Sequence, residues 1–291
     1  MNERELMLTA LLNCRRVDLY VDPQPLTGRQ ARSLDRMERK RKGGEPLQYI
    51  LGCCEFMGFK MLVNKHVLIP RPETELLVEW AVEKSRLLAN RDLLRILDLG
   101  TGSGNMAVSL AKLIEQSQIV AVDKSQRALA VARKNAEINQ VQHKINFIHQ
   151  DMRAYLKRFD QGSASFDIIV SNPPYIKTSF LNRLPLEVRS EPKLALDGGP
   201  DGLYYYRAII ENSRHLLKNG GYLFLEIGDG QRPDLEGILK PYPGFEKIEF
   251  KKDYSSVDRV VAVQLFHGSE FPKGNPSEKT SGNNIKNTWR Q

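Results

Sequence analysis

The stretch ILDLGTGSGNMAVSLA, residues 96–111, places a strand, three spaced glycines and a helix in succession. Gly100, Gly102 and Gly104 permit a tight turn and let a ligand approach the backbone closely, while the start of the following helix offers it free N–H groups. Thr101 and Ser103 complete the loop. Nineteen residues past Gly104, the strand IVAVD, residues 119–123, ends at Asp123. A carboxylate at the end of a second strand can accept hydrogen bonds from both hydroxyls of a ribose. Together these features predict a pocket for an adenosine-bearing cofactor. The spacing Gly102-x-Gly104-x-x-Ala107 also satisfies a loose dinucleotide pattern, so the loop leaves the cofactor's identity open.

Outward from this loop the chain alternates strand and helix patterns. Strands are expected over 95–99, 119–123, 145–149, 167–171, 221–227, 245–252 and 259–266, and helices over 74–89, 105–116, 126–138, 203–217 and 232–239. Such alternation implies an α/β fold, a parallel-rich sheet covered on both faces with ligands outside the carboxyl ends of its strands. The last two strands lack an intervening helix and are expected to pair antiparallel. Ahead of this main domain (71–268), residues 1–46 read as a small helical domain, with Leu8, Leu11 and Leu12 in one stripe and a break at DPQPLTG. Residues 47–70 alternate aromatic and branched residues with Gly, and Asn64-Lys65 supplies a turn, so a connecting β-hairpin is expected. Residues 269–291 are polar and read as a disordered tail.

Composition narrows the function. A chain of 291 residues with 41% hydrophobic residues can bury a sizeable core. No run of eighteen apolar residues occurs, so no transmembrane helix is expected. The opening LMLTALLNC follows acidic NERE and lacks a small residue before Cys14, which argues against a signal peptide and for a cytoplasmic protein. Three cysteines (Cys14, Cys53, Cys54) and five scattered histidines show neither a disulfide framework nor ligand spacing, so no metal is expected. The adjacent Cys53 and Cys54 read as ordinary thiols. The net charge of +8 is partly local: Arg29, Arg32, Arg36 and Arg39 recur at helical spacing, and Lys40, Arg41 and Lys42 follow. That run is either a solvated helix face or a landing surface for a charged macromolecular partner.

A second stretch, IIVSNPPYI at 168–176, runs a buried strand into Asn172, Pro173, Pro174 and Tyr175. Proline has no N–H and pushes the preceding residue to extended geometry, so Asn172 should end the strand beside rigid, open carbonyls. At this motif the sequence resembles the S-adenosylmethionine-dependent methyltransferases that alkylate planar nitrogens, where an amide or exocyclic amine nitrogen has a delocalised lone pair and attacks a sulfonium methyl poorly until that delocalisation is reduced. The Asn172 side-chain oxygen and the Pro173 carbonyl can each accept one N–H of such a group, and Tyr175 can offer an aromatic face. No strong general base is needed, because a nitrogen that has received a methyl becomes acidic.

Within that group, GEPLQYILGCCEFMGFKMLVNKHVLIPRPETELLVEWA, SEPKLALDGGPDGLYYYRAII, GGYLFLEIGDGQ and DRVVAV are similar to the HemK/PrmC-type release-factor glutamine methyltransferases, over roughly residues 5–267. The resemblance implies a Rossmann-like methyltransferase sheet, S-adenosyl-L-methionine as cofactor, and methylation of the Gly-Gly-Gln glutamine of bacterial-type class I peptide-chain release factors. It implies that Gly100 to Gly104, with Thr101 and Ser103, together with Asp123, Asp151, Met152 and Asn172, hold the cofactor. Asn172, Pro173, Pro174 and Tyr175 would hold the glutamine, with Asn172, Pro173 and Tyr175 at the chemistry. The N-terminal helices and hairpin would dock the factor. Met152 stands where this family often has an aromatic residue, and the helical domain reads about one helix, roughly 20 residues, short. A DNA or RNA adenine-N6 methyltransferase is the alternative enzyme, disfavoured because no long target-recognition insertion is visible. A factor- or nucleic-acid-binding module with a vestigial pocket is the alternative without catalysis. No membrane partner and no direct nucleic-acid substrate is expected.

Overall fold

Capping side chains mark out the N-terminal helices. In the computed structural model, which describes residues 2–21, 25–88, 90–159 and 164–266, helix α1 (Glu3–Leu12) opens on Asn2, whose side chain accepts from the Glu5 amide at 2.8 Å. A short α2 (Asp18–Val21) leads to α3 (Gly28–Lys42), where Thr27 and Gln30 form a reciprocal capping box. Leu34 is the buried residue of α3, and Arg29, Arg32, Arg36, Arg39, Lys40 and Lys42 are exposed. Arg41 differs: it reaches Glu3 at 2.8 Å and Glu187 at 2.7 Å, clipping the N-terminal helices to a short helical turn at 186–189 that follows Tyr175. The expected tail at 269–291 lies outside the described residues.

Residues 47–70 depart from the expected hairpin in two ways. Leu47–Leu51 is a helical turn, α4, because the Tyr49 and Ile50 amides both bond to the Pro46 carbonyl and the Tyr49 hydroxyl donates to the Val67 carbonyl at 2.6 Å. The hairpin is shorter, β1 (Cys53–Phe56) and β2 (Phe59–Leu62), and its turn is Met57-Gly58 rather than Asn64-Lys65. Both turn residues have positive φ, 53° and 74°, the geometry that lets a two-residue loop match the twist of its strands. Asn64 instead shapes a turn after β2 by accepting the His66 amide.

The main domain follows as α5 (Pro72–Ser85), β3 (Leu94–Leu99), α6 (Asn105–Leu113), β4 (Ser117–Asp123), α7 (Gln126–Ile138), β5 (Ile145–His149) and α8 (Met152–Leu156). It continues with β6 (Phe166–Ser171), α9 (Leu186–Arg189), α10 (Tyr204–Leu216), β7 (Leu217–Glu226), α11 (Arg232–Leu239), β8 (Phe245–Lys252) and β9 (Asp258–Leu265). The seven strands β3 to β9 form one sheet in the order β5-β4-β3-β6-β7-β9-β8. The first five are parallel, and β9 runs antiparallel to β7 and β8, as the missing helix between the last two strands implied.

The central strands are apolar on both faces because helices cover both. Ile96, Ile168, Val170 and Phe224 pack with Leu77, Trp80 and Leu110 of α5 and α6 on one side. Their neighbours Leu97, Ile169, Leu223 and Leu225 pack with Tyr206, Ile209 and Leu235 of α10 and α11 on the other. What positions the site is the reversal of strand order at β3: the chain first adds β4 and β5 on one side, then returns to lay β6 on the other. Leu99 and Ser171 are register partners, and the Ser171 hydroxyl donates to the Leu99 carbonyl at 2.7 Å. Gly100 and Asn172, 72 positions apart, therefore leave the sheet side by side at the switch point.

Candidate active site

The glycine loop turns through Gly100, Gly102 and Gly104, whose φ values are 76°, 57° and 79°. Only glycine adopts this region without strain, and space adds a second requirement at two of the positions. A Cβ on Gly100 would come within 2.9 Å of Met152 Cε, and one on Gly104 within 2.9 Å of Ala132 Cβ on α7. Asp123 braces the loop: its Oδ2 accepts the Gly102 amide at 2.8 Å and its Oδ1 the Ser125 amide at 2.7 Å. Burial raises the Asp123 carboxyl above its ordinary value, while those two amides pull the other way.

Asp98, inside the apolar run of β3, is fully buried and takes the Thr101 hydroxyl at 2.6 Å. Its Oδ1 has no hydrogen-bond partner among the described residues. Burial pushes this carboxyl up to about 7, with the nearby Asp123 adding to the effect against the Thr101 hydroxyl. Sequence reasoning passed over Asp98; the available signal is a single carboxylate in a strand whose neighbours require it to be covered on both faces. It also passed over Asn135, whose side chain bonds Leu62 of the hairpin through N–H and C=O and donates to the Ser103 carbonyl at 2.8 Å. Asn135 thereby ties β2, α7 and the glycine loop together, a link between distant segments that no local pattern announces.

Asp151 caps α8, accepting the Arg153 amide at 3.0 Å, and pairs with Lys124 at 3.4 Å. Met152 next to it is buried against the loop. At the end of β6, Asn172 Nδ2 donates to Thr74 Oγ1 at 3.1 Å, and Asn172 Oδ1 accepts no hydrogen bond among the described residues. Tyr175 is boxed in. A Cβ on Gly198, Gly202 or Gly228 would come within 2.7, 2.5 or 3.0 Å of its atoms, and its hydroxyl donates to Glu226 Oε1 at 3.3 Å.

Seven of the expected residues line one cavity of about 300 Å³: Gly100, Gly102, Asp123, Asp151, Met152, Asn172 and Pro174. Thr101, Ser103, Gly104, Pro173 and Tyr175 do not line it. The first three form the frame of the loop, and Tyr175 is packed from behind with its hydroxyl turned inward to Glu226. The remaining wall comes from residues not expected at the site: Lys65 to Leu68 after the hairpin, Val122 and Lys124 beside Asp123, Ser125, Arg127 and Ala128 at the start of α7, and Pro192, Leu194, Ala195 and Tyr205. Glu191 joins two of these segments: it is buried, accepts the Ile69 amide at 3.0 Å and pairs with Arg71. Among the described residues no cluster of His, Cys, Asp and Glu has the makings of a metal site.

Comparison with known proteins bears on the same segments. The profile described as the PrmC N-terminal domain matches residues 2–52, and that of the methyltransferase small domain matches residues 74–183. The release factor glutamine methyltransferase of Thermodesulfovibrio yellowstonii is 38% identical over 263 residues, covering 90% of this chain and 91% of that protein. The protein of the same name from Geobacter sulfurreducens is 40% identical over 265 residues, covering 90% and 89%. The chain belongs to the release factor glutamine methyltransferase family.

This family membership separates readings that the fold leaves together. The catalytic domain of hMettl16, solved with the MAT2A 3′UTR hairpin 6, superposes with a TM-score of 0.55 at 16% identity, covering 84% of this chain and 85% of that one. At that identity the likeness speaks for the fold alone. The match to the release factor glutamine methyltransferase of Thermodesulfovibrio yellowstonii, at 38% identity over 90% of this chain, is of another order.

Proposed function

We propose that the chain transfers a methyl group from S-adenosylmethionine to the side-chain amide nitrogen, N5, of the glutamine in the Gly-Gly-Gln motif of bacterial-type class I peptide-chain release factors. The observation that carries this reading is the setting of Asn172. Its Nδ2 is engaged by Thr74, its Oδ1 accepts no hydrogen bond among the described residues, and it stands beside the glycine loop on the wall of the cavity.

The cavity's donor set fits this cofactor. The Asp123 oxygens each hold one backbone N–H and keep a lone pair for a ribose hydroxyl. Met152 offers a polarisable apolar wall suited to a base, and the glycines leave open the space a Cβ would occupy. Gly100, Gly102, Asp123, Asp151, Met152 and Asn172 would hold it. S-adenosylmethionine, when bound, supplies a methyl on a positively charged sulfur. The chain's own part is to hold the nucleophile. Asn172 Oδ1 and the Pro173 carbonyl accept the two N–H bonds of the substrate amide, which restrains its plane and turns the lone pair toward the methyl. The nitrogen gains the methyl carbon and loses one proton to water, ending as a secondary amide. Alignment of this kind is worth on the order of 7–11 kcal/mol, so no buried base is called for. The exposed arginines of α3 supply a docking face away from the reacting nitrogen, and a factor that works on ribosomes places the encounter in the cytoplasm.

The test is incubation with methyl-labelled S-adenosylmethionine and either a release factor or duplex DNA. Label on the factor that disappears when its Gly-Gly-Gln glutamine is replaced by alanine supports the reading. Label on DNA would support the adenine-N6 alternative, and no label on either would point to a module without catalysis.

A further inference from the structure

Behind Asn172 lies a buried polar chain that the proposed reaction leaves unused. Thr74, in the first turn of α5, and Glu226, at the end of β7, are each 2% exposed. Thr74 Oγ1 donates to Glu226 Oε2 at 2.5 Å, Asn172 Nδ2 donates to Thr74 Oγ1 at 3.1 Å, and the Tyr175 hydroxyl donates to Glu226 Oε1 at 3.3 Å. A carboxylate buried this deeply costs stability unless its lone pairs are filled, and its chain neighbours Leu225 and Ile227 are apolar and buried, so an apolar residue would serve the packing of this strand end as well. Something other than packing favours it there.

The direction of the hydrogen bonds shows what it accomplishes. A hydroxyl has a single proton, and an ionised carboxylate can only accept. With Glu226 ionised, as it is above about pH 7, its carboxylate takes the Thr74 proton, the Thr74 oxygen can only accept at its other neighbour, and the Asn172 amide must present its NH₂ group to Thr74. That leaves Oδ1 as the atom available to a substrate. Were the amide turned over, it would present N–H to the N–H of the substrate and repel it.

We propose that Thr74 and Glu226 are positioning residues that fix which way round the Asn172 amide sits, so that an acceptor rather than a donor faces the substrate nitrogen. This rests on the function proposed above. Neither residue touches the substrate; both act through Asn172. Thr74→Val keeps the shape and removes the hydroxyl, so both orientations of the amide become available. Glu226→Gln keeps the shape but offers one acceptor and one donor, so the chain can form in either sense.

Rates on a whole release factor, cofactor affinity by calorimetry, and melting temperature would be measured at pH 8.5, where the Glu226 carboxyl is ionised, for wild type, Thr74→Val, Thr74→Ser and Glu226→Gln. Thr74→Val is expected to lower kcat about tenfold, with KM for the factor and cofactor affinity within about threefold of wild type, and Thr74→Ser is expected to restore kcat to within about threefold. Glu226→Gln should fall between them. A readout independent of turnover is the side-chain amide resonance of Asn172, assigned by its loss in Asn172→Asp. Its NH₂ protons should be protected from exchange in wild type and Thr74→Ser and unprotected in Thr74→Val. If Thr74→Val does not fold, Glu226→Gln carries both measurements. An active wild type with unchanged kcat in the variants, or an Asn172 amide equally protected in all of them, overturns the positioning role. A wild type that labels no factor overturns the proposed function instead, and the amide resonance still decides the orientation.

Discussion

Alanine at Gly102 and at Gly104 should separate the two duties of the glycine loop, holding a ligand and closing the fold. Both residues sit at positive φ, 57° and 79°, which a side chain enters at a cost of about 1–2 kcal/mol. Their surroundings differ. A Cβ on Gly102 would find nothing nearer than the Gly100 carbonyl oxygen at 3.9 Å, and Gly102 lines the cavity. A Cβ on Gly104 would meet Ala132 Cβ at 2.9 Å and its Cα at 3.2 Å, the body of a helix that cannot swing aside. Overpacking of that kind adds about 1–3 kcal/mol. Gly104→Ala is therefore expected to lose about 2–5 kcal/mol of stability while its folded fraction binds S-adenosylmethionine within about threefold of wild type. Gly102→Ala should lose only about 1–2 kcal/mol, a few degrees in melting temperature, yet bind the cofactor at least about tenfold more weakly, because the new methyl occupies the side of the loop a ligand must approach. Gly100→Ala belongs with Gly102→Ala, since its clash is with the movable end of Met152, which is displaced into the cavity. Urea denaturation and calorimetric titration of the three variants read both quantities. The reasoning fails if Gly104→Ala keeps full stability, or if it weakens binding more than Gly102→Ala does.

Asn172→Ala should reduce methyl transfer by at least a hundredfold while cofactor affinity stays within about tenfold, roughly 1.4 kcal/mol, and near wild-type turnover would rule out the orientation mechanism. Asp123→Ala removes both a ribose acceptor and the brace on the Gly102 and Ser125 amides, so a loss of about 1.5–3 kcal/mol in cofactor binding is expected by calorimetry. Burial lifts the Glu226 carboxyl to about 7, with Glu73 raising it further and the Thr74 and Tyr175 hydroxyls and Arg259 opposing. Its folded value thus lies above the unfolded one, so its favourable contribution is complete below about 4.5 and is lost as pH rises through about 7. Glu226→Gln should accordingly melt higher than wild type at pH 8, by an amount on the order of 1–3 kcal/mol that shrinks toward pH 5, and a constant difference across that range would show that the carboxyl is not shifted. Arg32→Glu with Arg36→Glu on the exposed face of α3 should raise KM for whole release factor several-fold and leave the rate on a short Gly-Gly-Gln peptide unchanged.

Local chemistry was enough to write down most of the elements, the glycine loop, Asp123 and the Asn172 motif. The strands β3, β4 and β6 read as near-continuous apolar runs because both faces are covered, the glycine spacing at 100, 102 and 104 needs positive φ, and the prolines after Asn172 stop β6; each signal lies within a few residues of what it determines. The two misreadings, the strand at Leu47–Leu51 and the turn at Asn64-Lys65, concern short segments whose form is set by a distant partner. The Tyr49 hydroxyl reaches Val67, and the hairpin closes at Met57-Gly58 under the hold of Glu75 on the Met57 amide. What the tertiary structure alone decided is adjacency. Strand order brings Gly100 beside Asn172, Asn135 joins the hairpin to the loop, and Thr74, Asn172 and Glu226 meet from three separate elements across 98 and 152 positions. A buried hydrogen bond between residues so far apart imposes no periodicity on the chain between them, so only the folded packing, which pairs most buried donors and acceptors with whatever element lies nearest, selects it.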